Sequence, residues 1–334
     1  MLNDVPIFPE QASSYAGRVD DLFFFLLGVT LFFTLLIAVL IGVFAIRYRR
    51  RTEEDRPPAV IESLRLELVW TLIPLAVSLF IFYWGAELFF HANRVPDDAM
   101  EVYMVGRQWM WKVQHASGPR EINELHVPVG RPVKVTLTSQ DVIHSFFVPA
   151  FRIHKDVLPD RYTDVWFEAT KPGEYHLFCS QYCGTDHARM VGKVVVMQPE
   201  EYQKWLERGG ENSMYTQGQK LFQKLECVTC HTGDAQAKGP VLEGLFGRRV
   251  ELRDGRSVLA NEQYLRESIL VPDAKVVAGF QPIMPSYVGQ VDEEEILQLI
   301  AFMKALGRGQ TPERVEHGAP PLALPRSKRN EPRP

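Results

Sequence analysis

Residues 22 to 46 run without one charged side chain, and no other feature of the chain limits its folding as strongly. At a rise of ~1.5 Å per helical residue, a run of that length crosses a hydrocarbon core of ~30 Å. A second run covers residues 68 to 90, with Pro74 inside it and Glu87 close to its exit, where the carboxylate can reach the interface. Uncharged runs of this length exceed the pattern of helices buried in a soluble core. The two runs therefore predict a two-helix transmembrane hairpin. Arg47, Arg49, Arg50, Arg51, Arg56 and Arg65 lie between them, and such a short basic loop stays on the cytoplasmic side. Both termini and the soluble remainder then face outward, which in a bacterium places them on the periplasmic side of the inner membrane or on the outer face of the cell. Residues 1 to 21 lack a basic n-region and a small-residue cleavage site, so they read as retained.

Past Arg94 the texture changes. Short β-rich runs at 102–105, 133–138, 163–168 and 193–197 alternate with Pro-Gly and Gly-Arg-Pro turns, which predicts a β-sandwich or barrel. Residues 200 to 208 read as a short closing helix, and the Gly-Gly-Glu-Asn-Ser stretch at 209–213 reads as a flexible connector. Helices predicted at 216–225, 263–270 and 292–306 make the next unit all-α, and the tail at 308–334, rich in Pro, Arg and Lys, has no apolar periodicity. The expected division is thus 1–94, 95–208, 209–213, 214–307 and 308–334. A net charge of -4, with both signs interspersed, leaves no nucleic-acid footprint.

The four cysteines form two short-range pairs, Cys179/Cys183 and Cys227/Cys230, which suits metal or cofactor chemistry better than a disulfide framework. The first pair lies in Cys179-Ser180-Gln181-Tyr182-Cys183-Gly184-Thr185-Asp186-His187-Ala188-Arg189-Met190. Thiolate and thioether donors joined by imidazole select copper, and one Cys, two His and a Met would make a mononuclear blue-copper site. The second thiolate permits a second, sulfur-bridged copper ion. A further histidine has to come from elsewhere, and spacing alone does not choose among His115, His126, His144, His154 and His176.

At these residues the chain resembles subunit II of heme-copper oxidases, the electron-receiving subunit of cytochrome c oxidase, with a cupredoxin-like sandwich carrying a binuclear copper A centre. The resemblance implies His144, Cys179, Cys183, His187 and Met190 as side-chain ligands and Gln181 as a backbone-carbonyl ligand. Gln181 departs from the acidic residue common there, which leaves a carbonyl ligand intact but removes a carboxylate that helps bind magnesium at the subunit interface. In Gly106-Arg107-Gln108-Trp109-Met110-Trp111, Trp109 matches an exposed tryptophan at which electrons arrive from cytochrome c, while Trp111 reads as core. Glu67, in Glu67-Leu68-Val69-Trp70, matches a glutamate at the mouth of a proton path into subunit I, and equally suits a solvated helix cap.

The second pair, in Cys227-Val228-Thr229-Cys230-His231, is the c-type heme attachment pattern: two thiols add to the porphyrin vinyls and the next imidazole reaches the iron. Met214, Met284 and Met303 compete for the sixth position. Met303 falls on an apolar helix face and Met214 at the domain edge, so the proline-braced Met284 is the expected axial partner, a Met/His pair that favours electron transfer. Its loop and Gly239-Pro240 resemble segments of small class I cytochromes c.

The fold class expected is therefore multidomain: membrane hairpin, all-β cupredoxin-like sandwich and all-α cytochrome c domain. The resemblance implies a subunit of an oxygen-reducing, proton-translocating complex that carries two copper ions and one covalent heme c. Electrons would run from this heme through the copper pair to the heme of a separate subunit I, with subunit III, membrane lipid and an upstream soluble cytochrome or respiratory complex as partners. Oxygen chemistry lies elsewhere, since neither span contains the membrane histidines it needs. The alternatives are a copper A subunit of a nitric-oxide reductase and a membrane-anchored copper chaperone; the latter predicts a thioredoxin-like pattern that is not seen and leaves the heme motif unused. Quinol-oxidising relatives dispense with the copper cysteines, and a nitrous-oxide reductase needs a further catalytic domain.

Overall fold

The computed structural model describes residues 8–53, 63–116, 118–207, 213–231 and 237–307. The expected connector at 209–213, apart from Ser213, and the tail at 308–334 lie outside the described residues, as does Arg56.

The two apolar runs form α1 (Ala16–Arg47) and α2 (Leu64–Asn93), each extended by polar turns beyond its uncharged stretch. Their most apolar windows have mean hydropathy 2.9 and 1.9, and no protein covers either. Large side chains such as Phe32, Ile41 and Phe82 stand open around the helices. Water would not tolerate so much apolar surface, whereas lipid does. The helices meet where Phe25 packs on Phe80 and Trp84. Near the outer end Glu87 faces Arg18 at 3.6 Å.

The sandwich contains β1 (Met100–Arg107), β2 (Met110–His115), β3 (Arg120–Ile122), β4 (Glu124–Pro128), β5 (Pro132–Ser139), β6 (His144–Val148), β7 (Ile153–Val157), β8 (Thr163–Glu168), β9 (Gly173–Cys179) and β10 (Val191–Met197). They form two five-stranded sheets, ordered β3-β2-β1-β5-β8 and β4-β10-β9-β6-β7. Alternation along β1 sends Val102 and Met104 into the core between the sheets, with Trp111, Phe146 and Leu177. The alternate residues Tyr103 and Val105 belong to a separate cluster on the other face. The chain before α1 runs along the sandwich: Ala12 N–H donates to the Ala150 carbonyl, Ser14 N–H to that of Glu168, and Thr170 N–H to that of Ala12.

After α3 (Pro199–Glu207), the helical unit comprises α4 (Met214–Lys224), α5 (Glu262–Leu270) and α6 (Glu293–Gly307), within two residues of the expected helices. Ser213 and Asn261 cap α4 and α5 through their side chains. Before α6, Asp292 and Glu295 exchange side-chain to backbone bonds in a capping box. Where α4 crosses α6, a Cβ on Gly218 would stand 2.0 Å from the Gln298 carbonyl oxygen, so only glycine permits that approach. A small ribbon, β11 (Arg249–Glu251) with β12 (Ser257–Leu259), was not expected from the sequence, although Asp254-Gly255 at its tip is a hairpin signal.

Candidate metal centre and cofactor cavity

Three segments converge at one end of the sandwich: the β1–β2 tip, the start of β6, and the loop from β9 to β10. His144 opens β6 and is fully buried; Cys179 closes β9; Cys183, His187 and Met190 come from the loop. The two sulfurs lie 3.7 Å apart. Cys179 Sγ has His144 Nδ1 at 3.9 Å and the Gln181 carbonyl oxygen at 3.2 Å, while Cys183 Sγ has His187 Nδ1 at 3.5 Å and Met190 Sδ at 3.8 Å. Each sulfur thus has its own imidazole and its own weak donor, and the soft donor set fits copper.

Hydrogen bonds hold this arrangement in place. Asp141 accepts from His144 Nε2 at 2.8 Å, which leaves Nδ1 free to face the thiols. Its other oxygen accepts from Gln108 N–H at 2.7 Å, and Gln108 Nε2 donates to the Cys183 carbonyl at 2.8 Å. Close packing adds to this: a Cβ on Gly106 would approach His144 Cδ2 to 2.9 Å, and one on Gly184, at φ 119°, would approach Gln108 Nε2 to 2.9 Å. Burial pushes the Cys179 thiol up, but contacts with His144 and local backbone groups outweigh it and bring the pKa to about 6. Burial and the neighbouring Cys179 charge drive Cys183 up to about 12. Burial also raises Asp141, and the Gln108 and His144 bonds more than reverse it.

The remaining histidines lie elsewhere. His115 and His126 flank Glu121 under α3, whereas His154 and His176 are exposed. Trp109 sits beside the loop, half-buried with its indole N–H enclosed and unpartnered, against Gly184. Trp111 is fully buried, edge-on to His144. Glu67 is exposed in the first turn of α2, which Ser63 caps. Sequence reading missed Asp141 and Gln108. The Asp-Val-Ile-His spacing could have flagged Asp141, but nothing local links Gln108 to a carbonyl 75 residues on.

The helical unit encloses a cavity of about 450 Å³ lined by Cys227, Cys230, His231, Met284, Leu299 and Met303 among others, a volume typical of cofactor sites. His231 Nδ1 donates to the Pro240 carbonyl at 2.8 Å, which leaves Nε2 for a ligand. A Cβ on Gly239 would stand 2.6 Å from His231 Cε1, so the ring seats directly on the glycine. Thiols and imidazole at an apolar cavity fit a covalently held porphyrin. Met284 reaches the cavity from its loop; Met303 also lines it but is buried on α6. Met214 is 2% exposed and packs against Tyr103 instead.

Three family profiles match in succession: cytochrome c oxidase subunit II, transmembrane domain, over residues 3–85; cytochrome c oxidase subunit II, periplasmic domain, over residues 120–198; and cytochrome c over residues 215–307. Cytochrome c oxidase subunit 2 of Alkalihalophilus pseudofirmus is 29% identical over 80% of this chain and 83% of its own length. That of Thermostichus vulcanus is 29% identical over 60% and 77%. The solved periplasmic domain of subunit II of cytochrome oxidase from Bradyrhizobium japonicum is 31% identical over 35% of this chain and 96% of that one, with a TM-score of 0.34.

Proposed function

The chain belongs to the cytochrome c oxidase subunit II family, with a cytochrome c domain fused behind the copper-binding one, and on that premise we propose that it is the electron-receiving subunit of a respiratory terminal oxidase, relaying electrons from its c-type heme through a binuclear copper centre to the heme of a separate subunit I, where oxygen is reduced to water. The observation that carries the reading is the symmetry of the cluster, in which two facing sulfurs each have one imidazole and one weak donor.

In this reading Cys179, Cys183, His144 and His187, with Met190 and the Gln181 carbonyl as weaker donors, would hold two copper ions. Cys227 and Cys230 would attach the heme, and His231 and Met284 would hold its iron. When bound, the copper pair and the heme each accept and release one electron. The protein's part is to keep the ligands still. Asp141 fixes the ring orientation of His144, the Pro240 carbonyl fixes that of His231, and burial of His144, Cys179, Cys183 and Met190 excludes water that would otherwise reorganise at each transfer. Trp109, beside the copper loop, is the proposed point at which electrons arrive from a donor protein, and Glu67 the mouth of a proton path. The anchor comprises residues 1–94, the copper domain 95–208, the connector 209–213, the heme domain 214–307 and a tail 308–334. Subunits I and III, a soluble or membrane-bound electron donor, and a bacterial inner membrane with both termini outside complete the proposal.

Copper titration tests it. The loaded protein should hold two coppers per chain and show a mixed-valence near-infrared and spin-resonance signature that is lost in Cys179→Ser with Cys183→Ser. A single copper, or a signature that survives the double substitution, overturns the reading. The solubilised complex should consume oxygen; nitric-oxide turnover without oxygen uptake would reassign it to a nitric-oxide reductase.

A further inference from the structure

The outer face of the β3-β2-β1-β5-β8 sheet is closed off. Tyr103 and Val105 point away from the sandwich core, yet each is only 1% exposed, because Leu297 and Ala301 of α6 and Met214 of α4 cover them. Leu299 and Met303, elsewhere around the same helix, line the heme cavity. One helix therefore touches the copper domain on one side and the cavity on another.

Charges decide where α6 sits. Lys304, 5% exposed, reaches Glu101 of the copper domain at 2.6 Å and Glu262 of the heme domain at 3.0 Å, with the Tyr103 hydroxyl at 3.2 Å and the Phe246 ring 4.7 Å away. Toward the other end of α6, Glu294 pairs with Lys112 and accepts from Gln114, and Gln298 donates to Gln114 at 3.2 Å. Arg266 of α5, 8% exposed in its side chain, bridges Glu293 and, at 2.8 Å, Asp160 of the β7–β8 connection.

Domains joined by a short connector move relative to one another unless their interface forbids it. Buried ion pairs add little net stability, but they penalise every shifted register in which a charge loses its partner. Here three such pairings, Lys304–Glu101, Lys112–Glu294 and Lys134–Glu262, are spread over one apolar seam, with Arg266–Asp160 at its exposed edge. We infer that the heme domain is latched at a single position on the outer face of this sheet, with Lys304 as the latch, so that the heme cavity and the copper cluster keep one separation and the sheet face is closed to other proteins. The purpose of the latch rests on the relay function proposed above; its test does not.

Gadolinium spin labels at Glu174→Cys on β9 and Val288→Cys, both exposed positions, report the domain separation in the full metal- and heme-loaded chain, reduced so that neither centre is paramagnetic. The unsubstituted interface should give one narrow distance. Glu101→Lys, which alters only the copper-domain side and sets a second cation against Lys304, should broaden it while the heme spectrum stays unchanged. Glu101→Asp, which keeps the charge opposite Lys304, should leave the distance narrow. A broad distribution in the parent protein, or a narrow one in Glu101→Lys alone, overturns the latch. Failure of the relay would register differently, as missing copper or heme spectra with the distance still narrow.

Discussion

Gly239 lacks a side chain where His231 needs the room. An added methyl would meet the ring at 2.6 Å on Cε1 and 2.9 Å on Nδ1, closer than carbon atoms approach without one of them moving. Gly239→Ala should therefore leave both thiol attachments intact but tilt His231 off the Pro240 carbonyl, converting part of the low-spin visible spectrum to a high-spin form. An unchanged spectrum would mean that His231 does not bind the iron. At this scale much could be read from the sequence, because the stretches Cys179–Met190 and Cys227–His231 each hold most of their donors within a dozen residues, while His144 and Met284 come from farther away in the chain. Gln108 and Asp141 could not be ranked from it, since their role depends on a turn brought over the copper loop by pairing of β1 with β2.

Among the elements, α3 illustrates a packing role resting on a polar cluster. Trp205 stacks on His126 at 4.7 Å and meets His115 edge-on at 4.9 Å, while the Tyr202 hydroxyl lies 3.3 Å from His115 Nδ1. Glu121 sits between the two histidines. Burial pushes its carboxyl up, but the hydrogen bonds to His115 and His126 prevail and hold it below the usual carboxylate range. A depressed carboxylate stabilises the fold fully above its unfolded pKa and loses that contribution as pH falls through the lower folded value. Glu121→Gln should then cost about 1–3 kcal/mol near neutrality, the usual cost of disrupting buried hydrogen bonds to a charged group. It should also flatten the acid side of the stability profile, measured as melting temperature against pH. Equal acid dependence in both proteins would remove Glu121 from the account. The sequence indicated a helix here, but not what lies beneath it, because His115, Glu121 and His126 come from three separate strands, β2, β3 and β4.

For the whole molecule, the question is how the copper domain is held to its anchor. Asp20, in the first turns of α1, binds Arg152 through two oxygens at 2.8 Å each, with the paired side chains 5% and 9% exposed. Arg152 follows β6, the strand that begins with His144, and Trp166 Nε1 donates to the His91 carbonyl near the end of α2 at 3.2 Å. Breaking one partner of a buried pair leaves the other charge uncompensated, a cost of about 3–5 kcal/mol. Asp20→Ala should accordingly lower the thermal midpoint of the copper absorption in detergent while the spectrum at low temperature is preserved. No shift would show that the pair is solvated in the assembled protein.

The membrane hairpin, the three-part fold class and the donor types at both sites were determined by the sequence alone, because span length, ligand chemistry and helix periodicity are local properties of a few to about thirty residues. Spacing did not separate His144 from His115 and His126, the resemblance implied it, and the tertiary structure turns it toward the thiols; only the tertiary structure decided that both sides of β1 are covered. An apolar strand reads alike whether its second face meets solvent, lipid or another domain, and the pairing of Lys304 with Glu101 spans 203 residues. Contacts at that separation arise from packing, which no local pattern records.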